Sequence, residues 1–155
     1  MDLLPDFREL LVEFDRSGVE AVIVGGYAVA FHGRPRSTKD LDLVVGGEQA
    51  NLERVARALA NFGAPASVVE AARTMSETDV VWLGQPPSRI DILRAIDGVS
   101  TADVLANAVQ TVIDDVPIRV IALDDLIANK RAAGRAQDRL DVGQLERVRD
   151  ARQRV

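Results

Sequence analysis

Val22-Ile23-Val24-Gly25-Gly26-Tyr27-Ala28-Val29-Ala30-Phe31-His32-Gly33-Arg34-Pro35-Arg36-Ser37-Thr38-Lys39-Asp40-Leu41-Asp42-Leu43-Val44-Val45 joins a β-branched run, a double glycine and an alternating carboxylate pair. Val22 to Val24 reads as a short strand. Gly25 and Gly26 end it and can bring backbone N–H groups close to an anion, and the apolar segment after them reads as a helix whose N-terminus favours negative charge. It reads as a phosphate cradle. Asp40 and Asp42 stand two apart in Asp-Leu-Asp-Leu-Val-Val. Strand side chains alternate, so both carboxylates leave one face while Leu41 and Leu43 leave the other.

Two same-face aspartates suit a hard cation. Mg²⁺ takes oxygen ligands, usually one or two protein carboxylates together with substrate phosphates. Residues two apart on a strand lie roughly 6.5–7 Å apart, so such side chains can share one ion or bracket two ions about 3.5–4 Å apart. A third acid is expected nearby, and Ser88-Arg89-Ile90-Asp91-Ile92-Leu93 supplies it. Asp91 interrupts an apolar strand pattern, where a carboxylate is costly to bury unless paired or metal-bound.

On Gly25-Gly26, Asp40-x-Asp42 and Asp91, in that order, the chain resembles the nucleotidyltransferase superfamily that shares the DNA polymerase β catalytic fold. Within it, the chain is similar to the small bacterial minimal nucleotidyltransferases, including relatives of the AbiEii toxins of type IV toxin–antitoxin systems. Gly25 to Ala28, His32-Gly33 and Arg36 to Asp42 carry that likeness. Tyr27 departs from it, because many members place Ser or Thr near this point.

The resemblance implies an α/β (α+β) fold, a mixed sheet flanked by helices. It also implies transfer of a nucleoside monophosphate from an NTP to an acceptor hydroxyl, with release of pyrophosphate. Asp40 and Asp42 would bind Mg²⁺ (or Mn²⁺) and the triphosphate. Asp91 would bind a second ion or help to deprotonate the acceptor, Gly25 and Gly26 would cradle phosphate, and Arg36 is a further phosphate candidate. The acceptor stays open among tRNA, a protein and a small molecule, and an antitoxin partner is a further expectation. The alternative is a catalytically weak nucleotide-binding or partner-binding module of a toxin–antitoxin pair.

The last third adds a second constellation. Leu123 to Gly134 reads as a helix with acids in its first turn, basic residues later and glycine at its end. Its apolar stripe runs through Leu123, Leu126 and Ile127 to Lys130 and Ala133, so Lys130 falls on the inward face. A second helix from about Gln137 to Asp150 carries Asp138 and Asp141 on the stripe of Leu145 and Val148. AbiEii-like proteins have a similar late Lys and Asp, associated with triphosphate binding and the active-site network. Lys130 and Asp138 match those positions.

The 155 residues fit one nucleotidyltransferase-like domain spanning 1–155, with C-terminal helices over 123–150 packed on its core. At 47% hydrophobic and 28% charged residues the composition is globular, no apolar run approaches a membrane span, and nothing at the N-terminus reads as an export signal. Cytoplasmic location is the expectation. Absence of cysteine excludes disulfides, thiol nucleophiles and Cys-based zinc sites, and the single histidine excludes a multi-His metal site. A net charge of −5 argues against a broad nucleic-acid surface, although Arg34, Arg36 and Lys39 form one local basic cluster and Lys130, Arg131, Arg135 and Arg139 another.

Elsewhere the pattern predicts helices over Leu3 to Ser17, Glu48 to Asn61 and Thr101 to Ala108. It predicts hairpins from Asp79 to Leu83 with Arg89 to Leu93, and from Val109 to Asp114 with Ile118 to Ala122. Residues 66 to 76 stay ambiguous. His32 reads as a helix-end or packing residue rather than a base, and Trp82 as core rather than a stacking platform. Gly-x-Gly-x-x-Gly and Gly-x₄-Gly-Lys-Ser/Thr are both missing, which excludes dinucleotide-binding and P-loop sites.

Overall fold

The computed structural model describes residues 3–33 and 40–154. Elements follow the order α1 (Pro5–Arg16), β1 (Ala21–Val24), α2 (Gly25–His32), β2 (Leu41–Val45), α3 (Gln49–Phe62), α4 (Ala66–Arg73), β3 (Val80–Leu83), β4 (Ile90–Leu93), α5 (Thr101–Asn107), β5 (Val109–Ile113), β6 (Val116–Val120), α6 (Leu123–Ala133) and α7 (Ala136–Gln153). Both expected hairpins form, as β3–β4 and β5–β6. The ambiguous segment is α4, with Ala72 buried on it.

The strands make one six-stranded mixed sheet in the order β3-β4-β2-β1-β6-β5. β1 runs antiparallel to β2 and parallel to β6, while β2 and β4 are parallel. Val22, Leu41, Leu43, Val44, Ile90 and Ile92 are almost wholly buried along its centre. Such near-continuous apolar strands belong to a sheet covered on both sides. One helix group, α1, α3 and α4, packs together and reaches β6 and β3. A second, α2, α6 and α7, packs together and reaches β1 and β2.

Register decides which side chains share a face. Ile23 pairs with Leu43 and Val24 with Asp42, so Ile23 and Leu43 share one face while Val24 and Asp42 share the other. The Ile23–Leu43 face meets Leu11 and Phe14 of α1. The Asp42 face is the one against which α2 begins.

Two polar side chains fasten the frame. Buried Asn51 on α3 accepts from the Glu20 N–H at 2.8 Å and donates to the carbonyls of Glu20 at 3.1 Å and Gly46 at 2.8 Å, tying the start of β1 to the end of β2. His32, at the end of α2, places Nε2 2.6 Å from the Ile121 carbonyl oxygen, and burial pushes its pKa down. It therefore locks α2 to the segment after β6, in agreement with a packing role.

Candidate active site

β1 delivers the chain to Gly25 in the left-handed region, at φ +68°. A Cβ there would stand 2.2 Å from Asp42 Oδ2, so a side chain and the Asp42 carboxylate cannot share this space. The glycine thus serves a close approach as well as a turn. The first turn of α2 carries no side-chain cap and no acid, and Gly25 and Gly26 are partly exposed, so the helix start is open to an anion. Tyr27, where the resemblance favours a hydroxyl on phosphate, is buried and packs edge-on against Phe7 with ring centroids 5.6 Å apart. It belongs to the core.

Asp42 lies in β2 and pairs in register with Asp91 of the parallel strand β4, so both carboxylates leave the same face. Burial, then the charges of Asp91 and Asp40 and a hydrogen bond with Asp91, push the Asp42 pKa up to about 7 against the opposing pull of Lys130. Two carboxyls can share a hydrogen bond only when one carries a proton. A cation is the natural substitute for that proton.

Asp40 stands just before β2 and is partly exposed, contributing charge from outside the strand. Among the described residues no group of three or more His, Asp or Glu side chains is gathered as a metal cage. Asp40 is near enough for its charge to act on Asp42. Asp42 and Asp91 meet, while Arg89 holds Asp91 through Nε at 2.8 Å. Arg36, with Arg34 and Lys39, lies outside the described residues.

Lys130 and Asp138 are together, as the inward stripes require. Lys130 Nζ lies 3.1 Å from Asp138 Oδ1 and 3.5 Å from Asp141 Oδ2, and all three side chains are buried. Burial works to raise the Asp138 pKa, but hydrogen bonds from Arg135 and Lys130 outweigh it and bring it down to about 2. Arg135 binds Asp138 through Nε at 2.8 Å and is itself 77% exposed. The hydrogen bond with Asp138, then its charge and more weakly that of Asp42, raise the Arg135 pKa.

The site thus joins an Asp42–Asp91 pair, an uncapped helix start and the buried Lys130, whose charge acts on Asp42. The sequence matches, over residues 4–154, a family described as nucleotidyl transferase of unknown function (DUF2204). The chain belongs to this family. It is thus a nucleotidyltransferase by family, and nucleotidyl transfer from an NTP is its general chemistry. No curated protein matches it significantly. Two solved structures of the antibiotic-resistance factor ANT(2'')-Ia share the fold. A solution structure, reporting substrate-regulated conformation dynamics, is 18% identical, with 96% of this chain and 89% of that chain covered and a TM-score of 0.57. A crystal structure in complex with adenylyl-2''-tobramycin is 19% identical, with 96% and 95% covered and a TM-score of 0.56. No described helix of this nucleotidyltransferase is long and apolar enough to cross a membrane.

Trp82 corrects an expectation. It is 53% exposed, because β3 is an edge strand whose Val81 and Leu83 point inward while Val80 and Trp82 point out. Reading the hairpin register, which pairs Trp82 with Asp91, would have put the indole on the face of the paired aspartates. Arg135 was grouped only with basic residues in the sequence. Its position three residues before Asp138 at a helix start was the available signal.

Proposed function

We propose that this protein is a metal-dependent nucleotidyltransferase that moves a nucleoside monophosphate from an NTP to an acceptor hydroxyl and releases pyrophosphate. The observation that carries the reading is the in-register Asp42–Asp91 pair against the Gly25 turn, with Asp42 held near neutrality rather than as an ordinary carboxylate.

The residues present fit Mg²⁺ or Mn²⁺. Asp42 and Asp91 offer hard oxygen donors on one face, their repulsion calls for positive charge, and Asp40 adds a nearby carboxylate. A bound divalent ion would polarise the phosphoryl oxygens and offset charge developing on the leaving pyrophosphate. The chain's own groups supply position. Backbone N–H groups at Gly25 and Gly26 receive phosphate oxygens, and Arg36 is a further phosphate contact. Asp91 accepts the proton of the incoming hydroxyl or turns that hydroxyl toward phosphorus. Lys130 and Asp138 hold the α6–α7 corner against the site, and Lys130 adds positive potential toward the triphosphate.

A small-molecule acceptor is supported by the fold shared with ANT(2'')-Ia, whose crystal structure holds adenylyl-2''-tobramycin. A tRNA or protein acceptor, and action as a toxin with an antitoxin partner, rest on the AbiEii-like sequence resemblance. The test is incubation with each α-labelled NTP, Mg²⁺ or Mn²⁺, and total cellular RNA, protein and small molecules. Metal-dependent labelling of one class supports transfer. NTP binding with no label in any fraction would leave the catalytically weak binding module of a toxin–antitoxin pair.

A further inference from the structure

Gly25 follows β1, Asp42 lies on β2, Asp91 on β4 and Trp82 on β3, and these strands are consecutive neighbours in the sheet. Asp42, Asp91 and Trp82 are register partners on one face. At about 4.8 Å between strands, the row from the glycine turn to the indole spans roughly 14 Å. Displacement at phosphorus runs in line, with attacking and leaving oxygens on opposite sides. If the outer phosphates sit over the β1–α2 turn and the α-phosphate over Asp42, the acceptor enters from the β4–β3 side.

That side is already furnished. Trp82, the only tryptophan, is 53% exposed, and the Arg89 guanidinium carbon lies 4.8 Å from its ring centroid. Arg89 also donates from Nε to Asp91 at 2.8 Å, so indole, guanidinium and carboxylate form one connected surface. Indole faces and guanidinium planes both stack on flat rings.

Resting on the transfer reading above, we propose that Trp82 and Arg89 form the acceptor subsite, a stacking platform for a hydroxyl-bearing ring whose free hydroxyl meets Asp91. The hydroxyl oxygen forms the new bond to the α-phosphorus. The bond from that phosphorus to its bridging oxygen breaks, pyrophosphate leaves with the electron pair, and the hydroxyl proton passes to Asp91. Arg89 keeps Asp91 turned toward the platform. The C–H face of a small molecule's sugar ring packs on the indole and the base of an RNA's terminal nucleoside stacks on it, each bringing a hydroxyl to Asp91.

The test compares wild type, Trp82→Ala and Trp82→Phe in labelling a limiting cell extract from α-labelled NTPs with Mg²⁺, alongside calorimetric titration of NTP–Mg²⁺. Labelled product is expected to fall about tenfold in Trp82→Ala and to be largely kept in Trp82→Phe, with equal NTP affinity in all three. Acid-soluble label assigns the small molecule, and ribonuclease-sensitive label assigns the RNA end. Equal labelling by Trp82→Ala, weaker NTP binding in that variant, or label on a protein serine or threonine overturns the platform and leaves transfer standing. No labelled product from wild type overturns the transfer reading and the platform with it.

Discussion

Asp138 and Asp42 are both carboxylates withdrawn from water, yet their ionisation moves in opposite directions. Asp138 meets Arg135 and Lys130 and comes down to about 2. Asp42 meets Asp91, with Asp40 nearby, and goes up to about 7. The α6–α7 corner is a completed network in which each carboxylate faces a cation. In the β2–β4 pair Arg89 faces Asp91, while Asp42 stands against Asp91 and Asp40 with the pull of Lys130 as the weakest influence on it. Folding alone gains nothing from packing two acids together, and on the proposed function the strain at Asp42 is relieved by a bound cation. The completed corner, by contrast, holds α6 and α7 in place beside it.

Breaking the completed corner gives the largest expected effect. Lys130→Met leaves Asp138 and Asp141 buried with one exposed guanidinium between them, a loss on the order of 3–5 kcal/mol. Thermal denaturation should show a melting point lower by roughly 10 °C or more. A fall of only a degree or two would mean that the network is not structural. Asp91→Asn acts on the other region. It should lower transfer by about 10²–10³-fold while the melting point stays near that of wild type, since Asn keeps shape and removes charge. Single-turnover rates with labelled NTP check it, and near-normal turnover removes Asp91 from the reaction.

Gly25→Ala probes the boundary between cradle and acids with a smaller cost. The added Cβ collides with Asp42 Oδ2 and stays at positive φ, for a loss of about 1–3 kcal/mol. Because the collision displaces the carboxylate, metal-dependent NTP affinity should fall together with stability. Calorimetry on the folded variant separates the two, and unchanged affinity would detach Gly25 from the site.

Much of this was readable from residue order. The Gly25-Gly26 turn, the placing of Asp42 and Asp91 on strands and the inward stripe of Lys130 and Asp138 all follow from strand and helix periodicity, which needs only local spacing. What was not readable depends on which strands become neighbours. Trp82 is exposed because β3 ends the sheet, and no local pattern announces an edge. Asp91 is tied by Arg89 two residues earlier, and that link becomes informative only once β4 is seen beside β2. Arg135 similarly gains its place from the tertiary approach of α7 to the paired aspartates, whereas its sequence context is that of any basic helix start.

On the proposed function, the β2–β4 acids are held in repulsion for a divalent ion and an NTP. Since the folded Asp42 pKa lies above that of an unfolded aspartate, the folded state binds the extra proton between about pH 4 and pH 7. The contribution of Asp42 to stability is therefore fully present below about pH 4 and is lost as pH rises to 7, by roughly 3–4 kcal/mol, while that of Asp138, held down near 2, is already complete above about pH 4 and does not change across this range. Melting curves across this range, with and without Mg²⁺ and NTP, measure it directly. Wild type should lose stability toward pH 7 and regain it with Mg²⁺ and NTP, whereas Asp42→Asn should be as stable or more stable at pH 7 and show little ligand shift. A clearly destabilised Asp42→Asn protein that keeps the full shift would contradict the claim and make these carboxylates structural.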